Sequence, residues 1–221
     1  METKYILFDI DGLMVDSEKL SFTLIREILR ERGFDTSLDF YKKTVGIDQK
    51  IGAQLFTDTY PGIDGQKDIY DVLEIRYKAA VLQGRLKPKP GLFELLDELD
   101  RRNIRRAAAS SNVKPIVQAN LNGIGICSRM DAVVCDGMVE RVKPFPDLFL
   151  KAAELLGACP EECLVLEDSA AGVQAAAAAG IPVIVVPDLI PPSPEMLDTS
   201  LAQMNSLLDV RDYIIRENIH G

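Results

Sequence analysis

Tyr5-Ile6-Leu7-Phe8-Asp9-Ile10-Asp11-Gly12 is an apolar run that stops at two aspartates and a glycine. Ile, Leu and aromatic residues in a short unbroken block predict a buried strand. The carboxylates then lie at the strand's carboxyl end. In open α/β sheets that edge is where ligands bind. Two anions one residue apart repel, so the pair calls for a cation or a shared proton. A hard divalent ion such as Mg²⁺, which prefers oxygen ligands, suits it. Asp and Gly are also common turn residues, so the plainer reading of this stretch alone is a solvated strand end.

Farther along, strand and helix patterns alternate. Residues 104–109, 130–135, 163–166 and 181–186 read as strands, the last as a β-branched run. Between them, 91–102 places Leu92, Leu95, Leu96 and Leu99 near helical spacing. Residues 115–122 predict a helix capped at Asn112, 145–156 one stopped by Gly157, and 170–179 an alanine-rich one stopped by Gly180. Such alternation implies an α/β fold, with a Rossmann-like parallel sheet covered on both faces. Residues 187–199 read as a loop, and 201–215 as the last helix.

Residues 17–84 break the alternation. Phe22, Ile25, Ile28 and Leu29, then Ile69, Val72, Leu73 and Ile75, keep helical spacing without a strand. The segment reads as an all-helical insert in a discontinuous core of residues 1–16 and 85–221. The return point carries Pro88 and Pro90.

With 221 residues, 47% of them hydrophobic, the chain can bury a sizeable core. A net charge of −9 argues against a nucleic-acid partner. No apolar stretch approaches the roughly 20 residues of a membrane span, and no signal peptide is visible. The expectation is a cytoplasmic protein. Cys127, Cys135, Cys159 and Cys163 form no CxxC pair, and His220 is the sole histidine, so a structural zinc site is not expected. Free thiols, mostly in the core, are expected instead. Chemistry must then rest on carboxylates, hydroxyls and lysine.

Four strand ends carry such groups: Asp9 and Asp11; Ser110, Ser111 and Asn112; Glu167 and Asp168; and Lys143 in the loop after the third strand. Singly, each has a plainer reading, as helix caps or a surface lysine. Together they compose a carboxylate cluster, a hydroxyl and one cation, the inventory of phosphoryl transfer.

Phe8-Asp9-Ile10-Asp11-Gly12-Leu13, Ala109-Ser110-Ser111-Asn112, Lys143-Pro144-Phe145-Pro146-Asp147 and Leu166-Glu167-Asp168-Ser169 together resemble the motif set of the haloacid dehalogenase-like (HAD) hydrolase superfamily. The resemblance spans nearly the whole chain. It is nearest to the branch of β-phosphoglucomutase and sugar-phosphate phosphatases, with the insert as a mobile helical cap. It implies Asp9 as nucleophile and Asp11 as general acid and base. It implies Mg²⁺ held by the Asp9 and Asp168 carboxylates and the Asp11 backbone carbonyl, with Glu167 supporting a metal-bound water. Ser110 and Lys143 would hold the phosphoryl oxygens, helped by backbone N–H groups of Ser111 and Gly12. Segment 15–18 and the Pro88 region would be hinges, and Glu18 would contact substrate. The loop 45–50 resembles a cap segment that faces the active site, which makes Lys50 a second candidate contact, although Gly46 can equally start a helix.

Asp11 speaks against a dehalogenase, because displacing halide needs no acid to protonate an alkoxide. Two departures speak against a mutase: Leu20 stands where the β-phosphoglucomutases have a histidine, and Asp48-Gln49-Lys50 lacks their cap-loop arginine. The resemblance therefore implies a Mg²⁺-dependent monomeric phosphatase acting on a small phosphomonoester, a sugar phosphate or a nucleotide. The alternatives are a phosphosugar mutase and, from another class, an inactive phosphate-sensing protein. Receiver-like domains also use Asp, Ser/Thr and Lys at strand ends, but the insert and the full Asp-x-Asp pair favour the enzyme.

Overall fold

The strand of the opening stretch, β1 (Tyr5–Phe8), lies at the centre of a six-stranded parallel sheet. The structure, a computed structural model, describes residues 3–221. The other strands are β2 (Arg105–Val113), β3 (Ala132–Asp136), β4 (Cys163–Glu167), β5 (Val183–Val185) and β6 (Ala202–Gln203), in the order β3-β2-β1-β4-β5-β6. Chain direction around the sheet switches at β1 and β4, the position where doubly wound sheets open a ligand crevice. Register makes the crevice specific. Phe8 pairs with Ala108 on one side and Leu166 on the other, so Asp9, Ser110 and Glu167 come to nearly one level at the carboxyl edge.

The chain divides into two units, one of residues 3–15 with 88–221 and the other of 16–87. The second is helical throughout: α1 (Ser17–Arg30), α2 (Leu38–Lys42), α3 (Gln49–Thr59), and a π-helical turn (Gly65–Tyr70) running into α4 (Asp71–Leu82). Phe40, Phe56 and Tyr60 pack within it, with ring centroids 5.2–6.2 Å apart, edge-on or stacked. Asp48 caps α3 by accepting from the Lys50 N–H, so loop 45–50 ends as a helix start.

The sheet unit contributes α5 (Leu92–Arg101), α6 (Lys114–Gly123), α7 (Asp147–Leu156), α8 (Ala170–Ala178), α9 (Pro194–Thr199) and α10 (Leu207–Arg216). Leu7, Ala107, Ala109, Val165, Val183 and Val185 recur at every second strand position on one face, where Leu148, Phe149, Val173, Ala175 and Ala176 of α7 and α8 cover them. The small side chains of β2 and α8 keep that layer thin. Leu92, Leu95, Leu96 and Leu99 of α5 are fully buried, as are Val210 and Ile214 of α10. Both sheet faces are thus covered, which is why the strands read as continuous apolar runs.

Two expectations need correction at the far edge. The expected loop at 187–199 contains the short α9, and the last helix starts at Leu207 because Ala202–Gln203 pairs with β5 as an edge strand. A two-residue strand leaves no pattern to read. All four cysteines are free; Cys135 and Cys163 are buried, whereas Cys159 is exposed. Among the described residues no helix is long and apolar enough to cross a membrane.

Candidate active site

The carboxyl edge of the sheet gathers Asp9, Asp11, Ser110, Asn112, Lys143, Glu167 and Asp168. Lys143 is the hub. Its ammonium bonds the Asp9 carboxylate and donates to Glu167 Oε1 at 2.7 Å, with its side chain 5% exposed. The Phe149 ring lies beneath it, 4.8 Å from ammonium to centroid. Burial alone would favour the neutral amine. The Asp9 and Glu167 carboxylates outweigh that and hold Lys143 charged, well above its ordinary range.

Glu167 is completely buried. Its Oε2 accepts from the Asp168 N–H at 2.8 Å, the Ser169 N–H at 2.8 Å and the Ser169 hydroxyl at 2.9 Å. Ser169 is also the N-cap of α8, accepting from the Gly172 N–H at 3.1 Å, so the capping role and the site role coexist. A Cβ at Gly172 would lie 1.7 Å from Glu167 Oε1. Gly172→Ala is therefore expected to displace Glu167, lower the melting temperature and cost about 1–3 kcal/mol by overpacking, measurable by urea denaturation.

Burial pushes the Asp9 carboxyl well above its ordinary value. Lys143 opposes that shift, whereas Glu167 and Asp11 add to it. The Asp168 carboxyl is raised by burial and then by the charges of Glu167, Asp9 and Asp188. Asp9, Glu167 and Asp168 each present an oxygen within 4.8 Å of the others. Crowded, buried, hard oxygen donors fit a divalent cation such as Mg²⁺. Lys143 and three donors already occupy Glu167, so Asp9 and Asp168 have the oxygens best placed to ligate. Asp11, the fourth acidic residue at this edge, turns its carboxylate elsewhere.

Asp11 Oδ2 accepts from Ser110 Oγ at 3.2 Å and from Asn112 Nδ2 at 2.8 Å, and Oδ1 accepts from Asn120 Nδ2 at 3.0 Å. This corrects the reading of Asn112 as a helix cap. Val113 occupies the N-cap position of α6 without a side-chain bond, and Asn112 is spent on Asp11. Asn120 is a residue that sequence reasoning missed. It is wholly buried on α6 and its Oδ1 has no hydrogen-bond partner among the described residues. A lone Asn in a helix normally reads as surface, so only its burial against Asp11 gives it away.

Gly12, with φ +83°, turns the chain between the two aspartates and α1. A Cβ there would fall 2.1 Å from Asp168 Oδ2. Its N–H, expected to face phosphate, donates to the Val15 carbonyl at 3.0 Å. Ser111 is exposed. In the helical unit, Glu18 accepts from the Tyr41 hydroxyl at 2.6 Å, and Lys50 lines an open concavity with Gln54, Thr57 and Gln66.

The sequence model of the haloacid dehalogenase-like hydrolases matches residues 6–186. The Phosphorylated carbohydrates phosphatase of Thermotoga maritima is 28% identical over 176 residues, 80% of this chain and 81% of its own. Protein SUPPRESSOR OF QUENCHING 1, chloroplastic, of Arabidopsis thaliana is 34% identical over 189 residues, 82% of this chain but only 17% of that much longer protein. Among solved structures, a HAD family hydrolase from Deinococcus radiodurans with bound phosphate and sodium superposes with a TM-score of 0.83 at 25% identity, covering 98% of this chain and 96% of its own. The match over most of the chain, on a sheet edge bearing the Asp9, Ser110, Lys143 and Asp168 groups, identifies the protein as a member of the haloacid dehalogenase-like hydrolase family.

Proposed function

We propose that the protein hydrolyses a small phosphomonoester, a sugar phosphate or a nucleotide, through an aspartyl-phosphate on Asp9. The observation that carries this reading is the buried Asp9 carboxylate bonded to the Lys143 ammonium, with Asp11 held beside Ser110. The Asp9 carboxylate attacks phosphorus in line; an Oδ–P bond forms as the ester P–O bond breaks. Asp11 gives its proton to the departing alcohol oxygen. Asp11 then takes a proton from water, whose oxygen attacks phosphorus and releases phosphate with Asp9 restored. Lys143 and Ser110 hold the transferring oxygens, with the Ser111 backbone N–H beside them. Asp9, Asp168 and the Asp11 carbonyl would hold Mg²⁺, which when bound neutralises charge on the phosphoryl oxygens. Glu167 positions Lys143. Glu18 and Lys50 of the helical insert are the first residues to substitute in a search for substrate contacts. The name of the Thermotoga relative supports sugar phosphates as the first class to test.

Three donors position Asp11, and Asn120 is the deepest of them. Asn120→Leu is expected to lower kcat about 10- to 100-fold by letting that carboxylate wander, with KM little changed. Steady-state kinetics on one good substrate checks it.

The test is phosphate release from a panel of phosphomonoesters, with Mg²⁺ and with EDTA. Metal-dependent release supports the reading. Conversion of β-glucose 1-phosphate to glucose 6-phosphate with little free phosphate would replace it with a mutase. Absence of any turnover would leave a phosphate-binding protein.

A further inference from the structure

Beyond β5, the chain places one more carboxylate at this edge. Asp188 Oδ1 accepts from the ammonium of Lys89, and the Lys89 backbone N–H donates to the Met14 carbonyl at 2.9 Å. The Asp188 side chain is 7% exposed. Its Oδ2 is buried with no hydrogen-bond partner among the described residues. That oxygen lies 3.3 Å from the point where a Cβ on Gly12 would sit, and Asp168 Oδ2 lies 2.1 Å from the same point. Two carboxylate oxygens from separate loops therefore border one small space, which exists because residue 12 is glycine.

An ordinary structural ion pair would not be built this way. A buried carboxylate oxygen without a donor forfeits its hydration and receives nothing in return. Asp188 also repels Asp168, helping to raise that carboxyl. Charge makes the same point. Asp9, Glu167, Asp168 and Asp188 face two buried or half-buried ammonium groups, Lys143 and Lys89. The cluster is net negative, as a cation site requires, and Asp11 beside it adds to that charge. Divalent magnesium keeps several of its waters when bound by one or two carboxylates, and those waters are donors.

We propose that Asp188 is an outer support of the cation site, its Oδ2 accepting a hydrogen bond from the hydration shell of a divalent cation held by Asp9 and Asp168. Lys89 clamps the other oxygen, so the acceptor is oriented before the cation arrives. The inference rests on the cation reading given under Proposed function. It adds a carboxylate 20 residues beyond the Glu167-Asp168 pair, on the loop after the next strand.

The experiment is a Mn²⁺ titration of the metal-free protein followed by electron paramagnetic resonance, repeated with Mg²⁺ as competitor. The proteins compared are wild type, Asp168→Asn, Asp188→Asn and the double variant Lys89→Met/Asp188→Leu. Melting of each metal-free protein is recorded alongside. Asp168→Asn should abolish specific binding. Asp188→Asn should weaken it about tenfold, as removal of an outer hydrogen-bond partner does. Its metal-free melting temperature should not fall, because the amide can still accept from Lys89 and no longer repels Asp168. The double variant should bind as weakly while replacing the whole pair with apolar groups. Affinity within twofold of wild type in both position-188 variants, with Asp168→Asn unable to bind, would overturn the role of Asp188 alone. Binding that survives Asp168→Asn would overturn the cation reading and this inference with it.

Discussion

Asp9→Asn is expected to abolish phosphate release, with a fall in kcat on the order of 10⁴-fold or more, as for loss of a covalent nucleophile. The change is nearly isosteric. The amide oxygen can still accept from Lys143, and the backbone N–H of residue 9 still donates to the Leu166 carbonyl at 3.0 Å. The fold should therefore stand, and the variant should melt at or above the wild-type temperature in the absence of metal, since a buried charge has been removed. Chemistry fails because an amide is a far weaker nucleophile than a carboxylate. Mass spectrometry of acid-quenched enzyme checks the cause: a phosphorylated Asp9 peptide should be trapped in wild type and missing from Asp9→Asn. Undiminished turnover by the variant would rule out Asp9 as nucleophile.

Lys143→Met should be the second most damaging change, and it should injure stability and rate together. Asp9 and Glu167 flank the ammonium, and all three side chains are at most 10% exposed. Removing the lysine leaves two buried carboxylates facing each other, which costs about 3–5 kcal/mol. It also removes a positive group from the phosphoryl oxygens, worth about 10²- to 10³-fold in kcat. The pH dependence has a definite sign. The Asp9 carboxyl is raised by burial and held down by Lys143 more than by any other group. Without the lysine it moves further up. Asp9 must be ionised to attack, so the acid limb of the kcat/KM profile should shift to higher pH. Denaturant melts and a pH–rate profile of the same preparation separate the two effects. An unshifted acid limb would contradict the assignment of that limb to Asp9.

Much of this site is legible without coordinates because its parts sit where strands end. An apolar run that stops at acidic or hydroxyl residues identifies both the strand and its exit, and in a parallel sheet the exits of β1, β2 and β4 share an edge. Asp9, Ser110, Glu167 and Asp168 are readable for that reason. Lys143 is not on a strand end, and only its place in a motif suggested it. Asn112 reads as a cap in the sequence because Asn before a helix ordinarily is one. Here the Asp11 carboxylate offers a charged acceptor, and a hydrogen bond to a charge outweighs one to a helix N–H.

The amino-acid sequence by itself determined the alternation of strand and helix, the helical insert, and the residue types that can bear phosphoryl chemistry. Local periodicity and turn chemistry encode those. Tertiary structure alone decided which groups meet. Lys143 reaches Asp9 across 134 positions, Asn120 reaches Asp11 across 109, and Lys89 reaches Asp188 across 99. Such pairs depend on strand order, register and the paths of loops, none of which has a local signature. A lysine or asparagine that will be buried beside a carboxylate looks, in the chain, like one bound for solvent.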